Sequence, residues 1–250
     1  MELQKNKSIA FCLPVYNEEK ILKENTLLLL HYCNQANFTF DWLIVILVNG
    51  SNDNSWEIAK DLSINHKKII AINYKFGGRG NALKSYWQIA TADIVTYMDI
   101  DLAVDLDDIQ SLINPIIKNE YDLVVGSRLL ANSKIKRSLL REITSQSCHL
   151  FSRLMLGHHF SDLQCGFKAI KTSSFRKISH YIIDKKWFFD TELAVYAQIH
   201  KLNVKEIAVN WSENRYDNRR NSKINIFRDS IKFISNYIKF KRRLLKEAAK

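Results

Sequence analysis

No run of about 18 consecutive apolar residues, the length a helix needs to cross a bilayer, occurs in these 250 residues, so no transmembrane helix is expected. The N-terminal MELQKNKS has no apolar core, which argues against a signal peptide. With 7 Gly and 2 Pro, long disordered linkers are not expected, and no internal repeat or low-complexity segment is visible. Cysteine is scarce and scattered (Cys12, Cys33, Cys148, Cys165). With no CxxC pair, neither a zinc site nor a disulfide framework is indicated, and a reducing, cytosol-facing location fits. Negative charge is also short: 26 Asp and Glu face 37 Lys and Arg, giving +11 and a pI near 9.4. Such a balance implies an anionic partner, either nucleic acid, a phosphate-bearing substrate or a membrane surface. The aromatics sit largely in apolar runs and are not interleaved with basic residues on one surface, so nucleic acid is the reading set aside.

What is present is alternation. Apolar runs at 8–14, 43–48, 69–74, 94–99 and 122–127 alternate with helical patterns that follow at about Glu18, Asn54, Asn81 and Leu106. This order predicts an α/β fold, a mostly parallel sheet with helices on both faces. Ligands in such sheets bind at the carboxyl ends of the strands. Polar clusters follow all of these runs, at Pro14–Glu18, Asn49–Asp53, Gly77–Asn81, Asp99–Asp101 and Gly126–Arg128. In the second half, 137–156 reads as a helix, 162–168 as a loop, 188–200 as a helix and 204–211 as a strand. Residues 224–245 read as an amphipathic helix with Ile224, Phe227, Ile231, Ile234 and Ile238 on one face. The expected division is one domain over 1–223, with halves at about 1–104 and 105–223, followed by a basic helix over 224–250.

The most informative segment is IVTYMDID (94–101). In extended geometry Asp99 and Asp101 point the same way, so both can reach one hard cation, which prefers carboxylate oxygen. The plainer alternative is a strand end running into a turn. The other clusters carry the same ambiguity. In PVYNEE, Asn17 reads as a helix N-cap with Glu18 and Glu19 in the first turn; equally, Glu18 suits a ribose or base while Tyr16 packs on a nucleotide. FGGRGNA (76–82) suits a phosphate cradle with Arg79 adding charge, or a simple turn. Arg128, Arg137 and Arg141 suit a second phosphate, or, for the latter two, a solvated helix face. Asp190 and Glu192 in FFDTELA offer a general base, or merely an acidic first turn.

Taken in order, PVYNEE, DIDLAVDLDDI, VVGSR, REITSQSCHLF, DLQCGFKAI, FFDTEL and VNWSE…SK resemble family 2 glycosyltransferases of the GT-A fold, in particular the dolichyl- and polyprenyl-phosphate glycosyltransferases, over about residues 8–235. The resemblance implies that Pro14, Val15, Tyr16 and Glu18 hold a nucleoside and that Arg79, where Lys is usual, contacts the donor. It implies that Asp99 and Asp101 take Mg²⁺ or Mn²⁺ and, with Ile100, meet a diphosphate sugar such as UDP-glucose or GDP-mannose. Arg128 and Arg141 would grip a polyprenyl phosphate, and Lys223 would lie in a loop closing over the donor. Three features depart from the family pattern. Val48-Asn49 replaces an acidic pair, leaving Asn49 or Asp53 as base contacts; His149 stands where Asn is common; and no C-terminal transmembrane helix is present.

The implied reaction is inverting transfer of a hexose. A phosphate acceptor is anionic near neutral pH, its second pKa being about 6, so Asp190 ranks below the arginines. Transfer to a sugar or polysaccharide hydroxyl is the alternative, and there Asp190 would matter as a base. Residues 224–250 carry eight Lys and Arg against Asp229 and Glu247, which suits a helix lying on an anionic membrane at the cytoplasmic face.

Overall fold

The computed structural model describes residues 7–136, 139–212 and 226–249, excepting the side chains of 136, 139–145, 148 and 226–233. The chain runs β1 (Ser8–Val15), α1 (Leu22–Gln35), β2 (Asp41–Asn49), α2 (Ser55–Asn65), β3 (Ile69–Tyr74), α3 (Arg79–Ile89) and β4 (Ile94–Met98). Then come α4 (Asp108–Ile117), β5 (Leu123–Ser127), β6 (Lys134–Lys136), α5 (Leu139–Leu156), β7 (Phe167–Lys171) and α6 (Thr172–Ile178). α7 (Phe189–Ile199), β8 (Val204–Ala208), β9 (Asn210–Ser212) and α8 (Ile226–Ala248) follow.

The apolar runs form one seven-stranded sheet in the order β3-β2-β1-β4-β7-β5-β8. Every pairing in it is parallel except those of β7, which runs antiparallel to both β4 and β5. The central strands are buried on both faces, which is why they read as nearly unbroken apolar runs. Ile9, Phe11 and Leu13 meet Leu22 and Leu29 of α1 and Ile109 and Leu112 of α4 on one face. Ala10, Cys12, Val95 and Tyr97 meet Leu83 and Trp87 of α3, Phe175 of α6 and Phe189 of α7 on the other. β1 lies between β2 and β4, so the strand order reverses there and opens a crevice at the carboxyl ends of β1 and β4.

Several local expectations change. Helix α1 starts at Leu22, not near Glu18: Asn17 takes a left-handed φ of 53° and is no N-cap, so Glu18 and Glu19 precede the helix. The expected strand over 204–211 divides into β8 and β9, and β9 pairs with β6 in a separate ribbon. Strand β7 starts at Phe167, inside the loop expected over 162–168, because Lys168 breaks its apolar pattern. Helix α8 packs on the body through a face apart from the isoleucine face. Tyr237 and Phe240 are buried against Phe188 and Tyr196, whereas Ile234 and Ile238 stay 43% and 39% exposed.

This packing is testable by urea unfolding. Phe240→Ala removes a buried ring and is expected to cost about 3–5 kcal/mol, while Ile238→Ser is expected to change stability by less than about 0.5 kcal/mol. The reverse ranking would mean that α8 docks through its isoleucine face.

Candidate active site

The loops after β1 and β2 are laced together. Asn17 N–H donates to Ser51 Oγ (3.0 Å), and Asn52 N–H donates to Asn17 Oδ1 (2.9 Å). Glu18 N–H donates to Ser55 Oγ (2.9 Å) and Glu19 N–H to Asp53 Oδ2 (3.1 Å), while Asn54 N–H donates back to Glu19 Oε2 (2.9 Å). Asp53 also accepts Ser55 N–H, so despite partial burial these bonds hold its pKa below the usual carboxylate range. Asn49 is buried, donating to Val15 O (2.7 Å) and accepting Gly78 N–H (3.0 Å). The two residues expected to replace the missing acidic pair are therefore framework. Pro14, Val15 and Ile100 are buried as well, whereas Tyr16 is 49% exposed at the crevice.

The glycine-rich loop behaves differently from a phosphate cradle. Gly78 N–H goes to Asn49, Gly80 N–H to Lys186 O (3.2 Å) and Asn81 N–H to Lys185 O (3.0 Å). A Cβ on Gly80 would collide with Phe189 and with the carbonyls of Asp184 and Lys186. The glycines admit the 184–187 segment, and the start of α3 is already capped by it.

Asp99 and Asp101 lie just past β4, in a turn where Leu102 adopts a left-handed φ of 48° and donates its N–H to Asp99 O (3.0 Å). The turn, not strand alternation, brings them together, and both line one small cavity with Gly166, Phe167 and Trp211. A Cβ on Gly166 would run into the Asp99 carboxylate, so glycine is what lets that carboxylate lie against β7. Asp99 is 42% exposed and accepts Arg79 Nη1 (3.0 Å). Arg79 Nη2 bonds Asp190, which is wholly buried and also accepts Tyr97 Oη and Lys168 Nζ (2.9 Å). The guanidinium lies 4.1 Å from the Trp187 ring centroid. Burial works against its charge, but Asp190, Tyr97 and Asp99 outweigh that and raise its pKa. Burial, then Asp190, lifts the Tyr97 hydroxyl far above its ordinary value.

The remaining sequence candidates separate. Arg128 forms a two-point fork on Asp162 (Nε–Oδ2 2.6 Å, Nη2–Oδ1 3.0 Å), which drives the Asp162 pKa down to about 2 despite its burial. Its fork is thus occupied. Glu192 accepts Ile183 N–H, Asp184 N–H and Arg243 Nη2. Asp190 and Glu192 both serve packing, and neither is presented to solvent as a base. Arg141 falls in α5, with its side chain outside the described residues; Arg137 and Lys223 lie outside them altogether. Sequence reasoning missed Lys168, Asp162 and Trp187; the buried charge balance of the first two has no one-dimensional signal. Among the described residues no group of three metal-ligating side chains gathers, so a cation here would draw on Asp99, Asp101 and ligand oxygens.

A doubly covered parallel sheet with one reversed strand, a carboxylate pair past β4 and a laced wall past β1 and β2 define a protein of the GT-A class. A profile for glycosyl transferase family 2 matches residues 10–179, and the chain belongs to that family. It is 31% identical over 215 residues to a dolichyl-phosphate beta-glucosyltransferase of Trichomonas vaginalis, covering 82% of this chain and 66% of the relative. It is 30% identical to glycosyltransferase AglD of Haloferax volcanii, covering 88% of this chain and 35% of that one, so it spans one-third to two-thirds of these relatives' length. In structure it matches the glucosyl-3-phosphoglycerate synthase of Mycobacterium tuberculosis in complex with Mn²⁺, UDP and product. That match has a TM-score of 0.64 at 14% identity and covers 92% of this chain and 80% of the synthase.

Gly166→Ala tests how tightly Asp99 is seated. It is expected to destabilise by about 1–3 kcal/mol in urea unfolding, the usual range for overpacking. An unchanged midpoint would mean that the carboxylate is not held against β7.

Proposed function

We propose that this chain transfers a hexose from a nucleotide sugar to a polyprenyl or dolichyl phosphate, with inversion at the sugar carbon. The observation that carries it is the convergence of Asp99 and Asp101 on one cavity at the carboxyl end of β4, walled by the start of β7 and by Trp211 of β9. Relatives named dolichyl-phosphate beta-glucosyltransferases support a lipid phosphate acceptor and favour glucose from UDP-glucose over mannose from GDP-mannose.

Asp99 and Asp101 would hold Mg²⁺ or Mn²⁺ with the diphosphate of the donor; when bound, such a cation acts as a Lewis acid for the departing nucleoside diphosphate. The protein's own contribution is placement and charge. Tyr16 offers its exposed ring to the nucleoside beside the laced loops. Arg79 stands over Asp99 at the diphosphate end. An acceptor phosphate oxygen attacks the anomeric carbon as its bond to the diphosphate breaks. The incoming oxygen carries no proton that must be removed, and Arg141 on α5 would meet that phosphate. Asp190 bears on the choice of acceptor. A sugar hydroxyl would need a general base, and Asp190 is buried and spent on Arg79, Lys168 and Tyr97. That favours the phosphate acceptor over a glycan.

The test is incubation with Mn²⁺ or Mg²⁺, a short polyprenyl phosphate and a panel of labelled nucleotide sugars, followed by lipid extraction. Glycolipid is expected, and Asp101→Ala should remove it by at least about 100-fold, the scale of a lost electrostatic group. No glycolipid across the panel would reject the lipid acceptor.

Membrane attachment through α8 is part of the same reading. No helix of the described residues is long and apolar enough to span a bilayer. Ile234, Ile238 and Leu245 form one exposed stripe along α8, and helical spacing sets Lys241 and Arg242 beside it. An apolar stripe bordered by lysine and arginine suits a peripheral position on an anionic surface. Deleting 239–250 would also remove buried Phe240, so substitution is the cleaner probe. Co-sedimentation with phosphatidylserine vesicles is expected to fall with salt and to be lost in Ile234→Ser/Ile238→Ser/Leu245→Ser. Equal binding by variant and parent would remove α8 as the contact.

A further inference from the structure

Lys168 is a wholly buried lysine for which the proposed reaction has no use. It lies on β7 in register with Tyr97 of β4, directly beneath the Asp99 turn. Its ammonium has three N–H donors. They meet Asp190 Oδ1 (2.9 Å), Cys165 O (2.6 Å) and Leu163 O (3.1 Å), with the Tyr97 hydroxyl 3.5 Å away. Two lines run from it to Asp99. One passes through Asp190 to Arg79 and on to Asp99. The other passes through the Leu163 and Cys165 carbonyls to Gly166, whose backbone accepts Asp99 N–H (3.3 Å) and walls its carboxylate.

The charges close only when the site is counted: Lys168 and Arg79 balance Asp190 and Asp99. Stability alone gives little reason for such an arrangement, since apolar replacement of a buried ion pair is often neutral or stabilising. What the ions supply is a fixed direction for Arg79, whose Nε is buried without a partner among the described residues.

We propose that Lys168 is a positioning residue for the donor site, holding the Asp99 carboxylate in place through Asp190 and Arg79 on one side and through the 163–166 segment on the other. This rests on the nucleotide-sugar reading of the site. It makes Asp190 a relay of position, not of protons.

The test uses the full chain and reads binding apart from turnover. Free Mn²⁺ is followed by electron paramagnetic resonance during titration with UDP or GDP, whichever the unmodified chain binds, and thermal midpoints are recorded in parallel. Lys168→Met is expected to lower the midpoint and weaken Mn²⁺–nucleotide binding by about 10-fold, the scale of losing a supporting group behind a metal ligand. Because that variant leaves buried Asp190 with only Arg79, shared with Asp99, as its cation, Lys168→Met/Asp190→Asn removes both charges together. The double variant is expected to regain the midpoint but not the affinity, and in turnover to raise the apparent KM for the metal–donor complex more than it lowers kcat. Recovery of both midpoint and affinity in the double variant would overturn the proposal and reduce Lys168 to a counter-ion for Asp190. Failure of the unmodified chain to bind any nucleotide with Mn²⁺ would instead reject the donor-site reading, and this proposal with it.

Discussion

The buried contact between Arg79 and Asp190 is the interaction on which the rest of the site depends. Asp190 has no access to water and would be costly to keep charged without strong partners. Those partners come from three different elements: Arg79 at the start of α3, Tyr97 on β4 and Lys168 on β7. α7 is thereby tied to α3 and to the two neighbouring strands β4 and β7. The 184–187 segment leading into α7 is in turn pressed against Gly78 and Gly80, which fixes where α3 begins. One carboxylate thus sets the spacing of three elements, and Asp99 receives its arginine as a consequence.

Much of this fold could be read from the sequence. The five apolar runs of the first half become five strands with ends shifted by a residue or so, because strands buried on both faces leave a contiguous apolar signal. Asp99 and Asp101 were legible as charge following a buried strand. β7 was not: lysines hold two of its five positions, and Lys168 reads as loop until its three acceptors are seen. The face by which α8 packs on the body was not legible either, because isoleucine spacing dominates a periodicity argument while the packing is made by Tyr237 and Phe240, whose rings find partners in Phe188 and Tyr196.

The polar residues divide along the same line. Asn49, Asp53, Glu19 and Arg128 all occupy positions that suggest ligand contact, and all are engaged by neighbouring main chain or by a counter-ion. A sequence marks where polar groups cluster at strand ends, but not which of them spend their bonding capacity on one another. That distinction depends on distances between segments 29 or more positions apart, such as Asn17 with Ser51 and Gly78 with Asn49.

The laced loops after β1 and β2 have a kinetic side. Main-chain amides and short polar side chains there satisfy one another, so the wall that would receive a nucleoside holds itself together by its own hydrogen bonds. A partner arriving at a prebuilt wall pays little to order it, and its residence time is then set by the contacts it makes. On the proposed reading, a change at the half-exposed ring of Tyr16 would alter which base is retained while the main-chain bonds between the two loops stay in place. Selectivity in such a protein can drift while the fold stays put.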